Sequence, residues 1–346
     1  GSFKMLKIQM FSSATKVKGQ GVGSAYTELI GLLRKKLSGK LEISINKFSK
    51  SDISHYHTID PLFFLTTFFP GRGRKIGYVH FLPETLEGSL KLPWIIKKVV
   101  YRYVIAFYRR MDHLVVVNPI FIKDLEKYGI SKDKITYIPN FVSRDVFFSQ
   151  NTEGKIKIRE RLGIAQNKFV ILGVGQVQER KGVPDFIELA KKLPEFQFVW
   201  VGGFSFGKIT DGYNELKKVV DNPPENLIFP GIVDRIQMND YYNAADVFLL
   251  PSYNELFPMS ILEAFSTGTP VVLRSLELYE VILKGYYLSG KDVAEFEVIL
   301  RNLANKSELI NEMCQKSLSA SNFYSEDNLA KIWYDFYCQQ TEMVKG

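Results

Sequence analysis

From end to end, short apolar runs rich in β-branched and aromatic residues alternate with amphipathic helical runs. That alternation limits the possible folds more than any other feature of the chain. Strands are expected at 6–11, 41–48, 76–80, 113–118 and 135–138, then at 169–173, 196–202, 227–229, 247–250 and 270–273. Helical patterns at 24–37, 184–193, 236–244 and 258–266 lie between them. Strand–helix–strand order builds parallel sheets covered by helices on both faces, so the class is α/β. The chain of 346 residues is too long for one typical domain. The polar stretch 143–154 is the expected linker between an N-terminal domain at 5–145 and a C-terminal domain at 155–322. Only helices follow, at 292–303, 307–319 and 325–341, and residues 323–346 are expected to pack back on the first domain. Residues 1–4 read as a tag remnant before Met5, with no leader after them. No run reaches the ~18 to 20 apolar residues of a spanning helix. Cys314 and Cys338 do not make a disulfide framework and read as free thiols in a reducing cytosol.

The formal net charge is +8, and it is unevenly placed. Between Gly71 and Arg110 stand Arg72, Arg74, Lys75, Lys91, Lys97, Lys98, Arg102, Arg109 and Arg110, against only Glu84 and Glu87. Within 91–110, a helix would place Trp94, Val99, Val100, Tyr103 and Phe107 on an apolar face. Lys97, Lys98, Arg102, Arg109 and Arg110 would flank it. Such a helix lies in an anionic membrane interface or packs in a core with its charges solvated. The charge asymmetry favours the membrane, and Phe63–Phe69 followed by Arg72, Arg74 and Lys75 adds to it. No nucleic-acid-binding motif accompanies the charge, so nucleic acid is not an expected partner.

Open parallel sheets bind ligands at the carboxyl ends of their strands, and the unusual residues of this chain follow strands. Glu255 and Glu263 are separated by seven residues, Leu-Phe-Pro-Met-Ser-Ile-Leu. Glu255 falls in the loop after the strand 247–250. Pro258 has the fixed φ of a first helical turn, which places Glu263 inside the helix. That helix end offers free N–H groups to an anion. Alone, Glu263 could equally be a solvated helix glutamate. Gly173-Val-Gly175-Gln176-Val-Gln-Glu179-Arg180-Lys181-Gly182 follows another strand, and its basic pair could hold a diphosphate or merely open an exposed helix. Gly19, Gly21 and Gly23 form a glycine-rich loop after the first strand, suited to a phosphate or to a plain tight turn. His80 ends a strand, a place where a lone histidine is usually structural. His55 and His57 have no third ligand beside them for zinc and read as strand-end residues, with His57 a candidate to face the cleft. The sequence contains no Asp-x-Asp that would hold a divalent metal on a diphosphate.

The string from Glu255 through Glu263-Ala-Phe-Ser-Thr-Gly-Thr-Pro-Val-Val272 resembles the E-x7-E signature of the retaining GT-B glycosyltransferases. The Gly173–Gly182 segment is similar to that family's glycine-rich strand end with its E-K-G. Ile138-Pro139-Asn140-Phe141-Val142 resembles the motif closing its N-terminal domain, with Phe141 where glycine is usual. The resemblance implies two Rossmann-like domains facing across a cleft and a UDP-sugar donor. It implies that Glu255 contacts donor-sugar hydroxyls, Glu263 the ribose, Lys181 the diphosphate and His80 the donor sugar. Phe257, Pro258, Met259 and Ser260 would complete the donor site, with the glycine loop over the phosphates. Gln176 departs from the family, which has an arginine there, and Arg180 is the candidate replacement.

The N-terminal half resembles a Gram-positive group within the family that builds diglycosyl-diacylglycerols, of the streptococcal galactosyl-glucosyl type. This implies transfer from UDP-galactose to glucosyl-diacylglycerol, retention of configuration and a place on the inner membrane face. No cofactor or metal is expected. Galactose and glucose differ in one hydroxyl's orientation, and residue spacing leaves that choice open. A soluble transferase acting on a polysaccharide precursor, a catalytically dead sugar-nucleotide binder and a nucleic-acid binder are the rival readings.

Overall fold

The computed structural model describes residues 5–13, 21–80, 82, 92–205, 207–210, 212–283 and 285–345. Residues 1–4, Gly19, Glu84, Glu87 and Lys91 of the sequence reading lie outside them. The chain divides into two compact units, 1–140 with 326–346 and 141–325. Residues 143–154 thus fall within the second unit, where Phe147 is fully buried and Asn151 caps a helix through its side chain.

The first unit holds six strands: β1 (Leu6–Phe11), β2 (Leu41–Ile45), β3 (Ile53–Tyr56), β4 (Arg74–Val79), β5 (His113–Val116) and β6 (Ile135–Tyr137). All pair in parallel in the order β2-β1-β3-β4-β5-β6. Its labelled helices are α1 (Gly21–Leu37), α2 (Pro61–Thr66), α3 (Trp94–Arg110) and α4 (Phe121–Lys127). A sheet covered on both faces needs strands buried on both sides, and β3 and β5 are buried at every residue. The C-terminal helix Glu326–Lys345 belongs to this unit. It buries Trp333, Phe336 and Tyr337, and the Tyr337 hydroxyl hydrogen-bonds His55 Nδ1 at 2.9 Å.

In the second unit lie β7 (Val170–Val174), β8 (Gln197–Val201), β9 (Leu227–Gly231), β10 (Val247–Leu250), β11 (Val271–Arg274) and β12 (Leu288–Gly290). Their order is β12-β11-β10-β7-β8-β9, again all parallel. Its helices are α5 (Thr152–Leu162), α6 (Val183–Lys192), α7 (Tyr213–Asp221), α8 (Arg235–Ala244), α9 (Met259–Ser266), α10 (Glu277–Ile282), α11 (Val293–Asn305) and α12 (Ser307–Phe323). The core gathers Phe186, Phe198 and Trp200 under the sheet. Gly173 makes room for it: a Cβ there would sit 2.2 Å from the Trp200 ring.

Strand order reverses direction in each sheet, between β1 and β3 in the first and between β7 and β10 in the second. Such switch points open a crevice at the carboxyl ends of the strands, where ligands bind in folds of this kind. The loops after those four strands therefore carry the interest of the molecule.

Candidate active site

At the switch point of the second sheet, the loop after β7 brings Lys181 and the loop after β10 brings Glu255. Lys181 Nζ donates to Glu255 Oε1 at 2.6 Å, with side chains 17% and 7% exposed. The two residues lie 74 positions apart and meet because their strands are neighbours. Gly182 makes the approach possible. Its φ of +76° favours glycine, and a Cβ would stand 2.2 Å from the Pro251 carbonyl oxygen. Arg180 does not lie free beside Lys181. Its Nη1 donates to both the backbone oxygen and Oδ1 of Asn254, at 3.1 and 2.9 Å. Arg180 thus braces the residue before Glu255. Gln176, at the position where an arginine was expected, hydrogen-bonds Gln178.

Helix α9 begins at Met259, and Pro258 is its N-cap, one position outside the first turn expected for it. The first N–H groups of a helix have no intrahelical acceptor, so Met259 and Ser260, soon after Glu255 in the chain, present backbone donors. Glu263 follows one turn on and accepts a 2.8 Å hydrogen bond from the Tyr242 hydroxyl. Burial, and then Glu263, hold that hydroxyl protonated well past the usual tyrosine range. Phe257 stands in the loop, its ring 6.5 Å from that of Tyr324.

Three residues of this region escaped the sequence reading. Arg274, at the end of β11, is 5% exposed and donates through Nε to the Pro251 oxygen at 2.8 Å. It pairs with Asp185 and lies 3.9 Å over the Tyr253 ring, so it holds the base of the Glu255 loop. Tyr279 is fully buried, and its hydroxyl has no hydrogen-bond partner among the described residues. Burial, and then the neighbouring Glu255, push its pKa up. The third is Tyr242. A tyrosine, an arginine or an aspartate on a helix or strand end gives no sequence signal of such a role.

In the first unit, helix α1 starts at Gly21, so Gly21 and Gly23 lie in its first turn and not in a loop ahead of it. His80 follows β4. Its ring stacks on Tyr78 at 4.3 Å and lies 6.1 Å from His57. His57 itself is 3% exposed, which removes it from any open surface. Its ring lies 4.3 Å from that of His55 and 5.0 Å from that of Tyr26 on α1. Buried nitrogens of all three imidazoles, His55 Nε2, His57 Nδ1 and His80 Nε2, have no hydrogen-bond partner among the described residues. Burial drives the pKa of His80 down to about 4, so the ring is neutral. Among the described residues no group of three or more His, Cys, Asp or Glu could hold a metal ion.

Helix α3 departs from the single apolar face expected of it. Val104, Phe107 and Tyr108 face the core, and Val100 and Tyr103 are partly covered. Trp94, Ile95, Ile96 and Val99 stand in solvent instead, with Trp94 73% exposed. The reason is length: only the C-terminal half of the helix reaches the Phe64 and Tyr56 rings. Arg109 donates to the Tyr128 oxygen at 2.8 Å and Arg110 to the Thr67 oxygen at 3.1 Å, so those two are tied to their own unit. No described helix is long and apolar enough to cross a membrane.

Comparison with known proteins agrees with this fold. The family model for glycosyl transferases group 1 matches residues 154–312, and that for glycosyltransferase family 4 matches 26–146. The alpha-galactosylglucosyldiacylglycerol synthase of Streptococcus pneumoniae is 51% identical over 98% of this chain and 91% of its own length. The processive diacylglycerol alpha-glucosyltransferase of Acholeplasma laidlawii is 30% identical over 53% of this chain and 55% of its own. Among solved structures, Anabaena HepE in complex with UDP and glucose superposes with a TM-score of 0.72 at 14% identity, covering 96% of this chain and 99% of that one. Likeness to the pneumococcal synthase runs through nearly the whole chain, and this chain belongs to the GT-B glycosyltransferase family.

Proposed function

We propose that this protein transfers galactose from UDP-galactose to glucosyl-diacylglycerol, with retention at the anomeric carbon, on a membrane surface. The observation that carries the reading is the 51% identity to the pneumococcal synthase across nearly the whole of both chains. In the transfer, an acceptor hydroxyl oxygen bonds to C1 of the donor sugar and the C1–O bond to UDP breaks. The acceptor's proton passes to an oxygen of the departing diphosphate on the same face. The transition state has oxocarbenium character, and negative charge grows on UDP. Lys181 and the N–H groups at Met259 and Ser260 would meet that charge, and removal of one such group typically costs ~10²–10³ in rate. We assign no metal to this step. Glu255 would take donor-sugar hydroxyls, Glu263 the ribose and His80, as a neutral ring, the donor sugar.

The exposed Trp94, Ile95, Ile96 and Val99 would enter the lipid interface, with Lys97, Lys98 and Arg102 facing anionic headgroups. Each such basic residue is worth about 1 kcal/mol near an anionic surface. UDP release from UDP-galactose and from UDP-glucose, in EDTA, with and without glucosyl-diacylglycerol in anionic vesicles, tests the reading. Acceptor-dependent release from UDP-galactose supports it. Release that prefers UDP-glucose moves the donor assignment toward the activity named for the Acholeplasma relative. No lipid-dependent release, with UDP still bound, removes the glycolipid reading.

A further inference from the structure

We propose that Tyr242 is a positioning residue for nucleotide selection, its hydroxyl holding Glu263 in the orientation that tells a ribonucleoside diphosphate from a deoxy analogue. This rests on the reading of Glu263 as the ribose-binding residue and deepens it. Tyr242 stands near the end of α8 and Glu263 within α9, the helices before and after β10. The Tyr242 hydroxyl donates to Glu263 Oε1 at 2.8 Å. Tyr242 is fully buried, whereas Glu263 is partly exposed. The hydroxyl thus grips the carboxylate from the core side of a glutamate that still reaches solvent.

Tyr242 can act as a fixed post because its own surroundings are fixed. Its ring meets the Phe147 ring edge-on at 5.9 Å and lies 5.8 Å from the Phe248 ring on β10. Its backbone oxygen accepts from Thr269 Oγ1 at 3.0 Å, which ties it to the turn after α9. At the next residue, Asn243 Oδ1 accepts from Gln150 N at 2.7 Å and Asn243 Nδ2 donates to the Phe148 oxygen at 2.9 Å. The end of α8 is therefore clamped on two sides.

A glutamate on a helix has several rotamers and loses that freedom when a ligand fixes it. Here the fold has done the fixing beforehand. A carboxylate offers about four acceptor sites, enough for Tyr242 and the vicinal hydroxyls of a ribose together. A site that hydrogen-bonds a hydroxyl rejects the analogue lacking it, because the acceptor is then left unpaired. An acceptor free to swing into water escapes that penalty, and one held by Tyr242 does not.

The test measures binding of UDP, 2′-deoxy-UDP and 3′-deoxy-UDP by titration calorimetry. It uses the full-length protein, Tyr242→Phe, Glu263→Ala and the double variant. Wild-type protein is expected to bind UDP at least about tenfold more tightly than the weaker of the deoxy analogues. Tyr242→Phe removes one oxygen atom and should cut that ratio at least about threefold. Glu263→Ala should bring the ratio close to one. In that background Tyr242→Phe should change it no further, as a double-mutant cycle requires of a residue that acts through another. The ratio cancels any loss common to the nucleotides, so a merely structural tyrosine would leave it unchanged. An unchanged ratio in Tyr242→Phe overturns the proposal, and so does an equal effect of that substitution in the Glu263→Ala background. Wild-type protein that binds the nucleotides alike, or a Glu263→Ala variant that keeps the ratio, would instead remove Glu263 from the ribose.

Discussion

Residue by residue, the donor region is held by pairings that neutralise one another. Lys181 and Glu255 are each expected to touch the donor, and they also bind each other. A donor must therefore supply both replacements, phosphate for the lysine and sugar hydroxyls for the glutamate, while UDP alone supplies only the first. Glu255→Gln is expected to lower transfer at least about tenfold while binding UDP more tightly than wild type, as titration calorimetry would read. Weaker UDP binding by the variant would contradict this account of the pair. At Gly182, alanine meets the Pro251 oxygen and a φ of +76°. Gly182→Ala should lose about 1–3 kcal/mol of stability in denaturant melts and should weaken UDP binding through the displaced loop. Glu255, Glu263 and Lys181 were legible because their spacing and neighbours form a long motif. Arg274 and Tyr279 were not, since a buried guanidinium on a distant loop's carbonyl exists only once β11 lies beside β10. Arg180 shows the same limit from the other side: its charge was readable, and its partner, Asn254, was not.

At the scale of elements, strand and helix runs were readable wherever periodicity was long. Two strands were not. β3 reads Ile-Ser-His-Tyr and lacks an apolar run, yet every residue of it is buried. Its polar side chains find partners far along the chain, Ser54 on the Arg72 oxygen and His55 on Tyr337. β12 has three residues at a sheet edge, below the length that any pattern marks. Helix α3 was readable as a helix, but its facing was not, because both of its faces mix apolar and basic residues. Only its second half is covered. Substitution at the two ends should therefore separate two effects. Trp94→Glu with Ile95→Glu should abolish vesicle flotation and leave the melting temperature unchanged. Phe107→Ala, in the core, should cost about 3–5 kcal/mol. A fall in melting temperature with the first pair would place that end of α3 in a core instead.

For the whole molecule, the two units differ in one titrating property. All four histidines, His55, His57, His80 and His113, lie in the first unit. Burial is the leading cause that lowers each of them, to about 3 for His55, about 4 for His80 and His113, and well below the usual range for His57. Folded pKa values thus lie below the unfolded value of ~6.5. Between about pH 4 and 6.5 the unfolded chain binds protons that the folded unit refuses. The stability from these neutral rings is complete above about pH 6.5 and is lost as pH falls, by up to ~1.4 kcal/mol per unit for each histidine. Hydrogen exchange at falling pH, corrected for intrinsic rates, should show the first sheet losing protection before the second. Equal loss in both sheets would mean that these histidines do not dominate the acid response.

The central claim is the transfer itself, and the product reports on it most directly. Purified protein would be incubated with UDP-galactose and glucosyl-diacylglycerol vesicles, and the lipid product examined by NMR at its new anomeric centre. The account predicts one new glycolipid carrying galactose in α linkage to the glucosyl unit. A β-linked product would contradict retention, and galactose found only as free sugar or on a water-soluble acceptor would contradict the assignment to a membrane glycolipid.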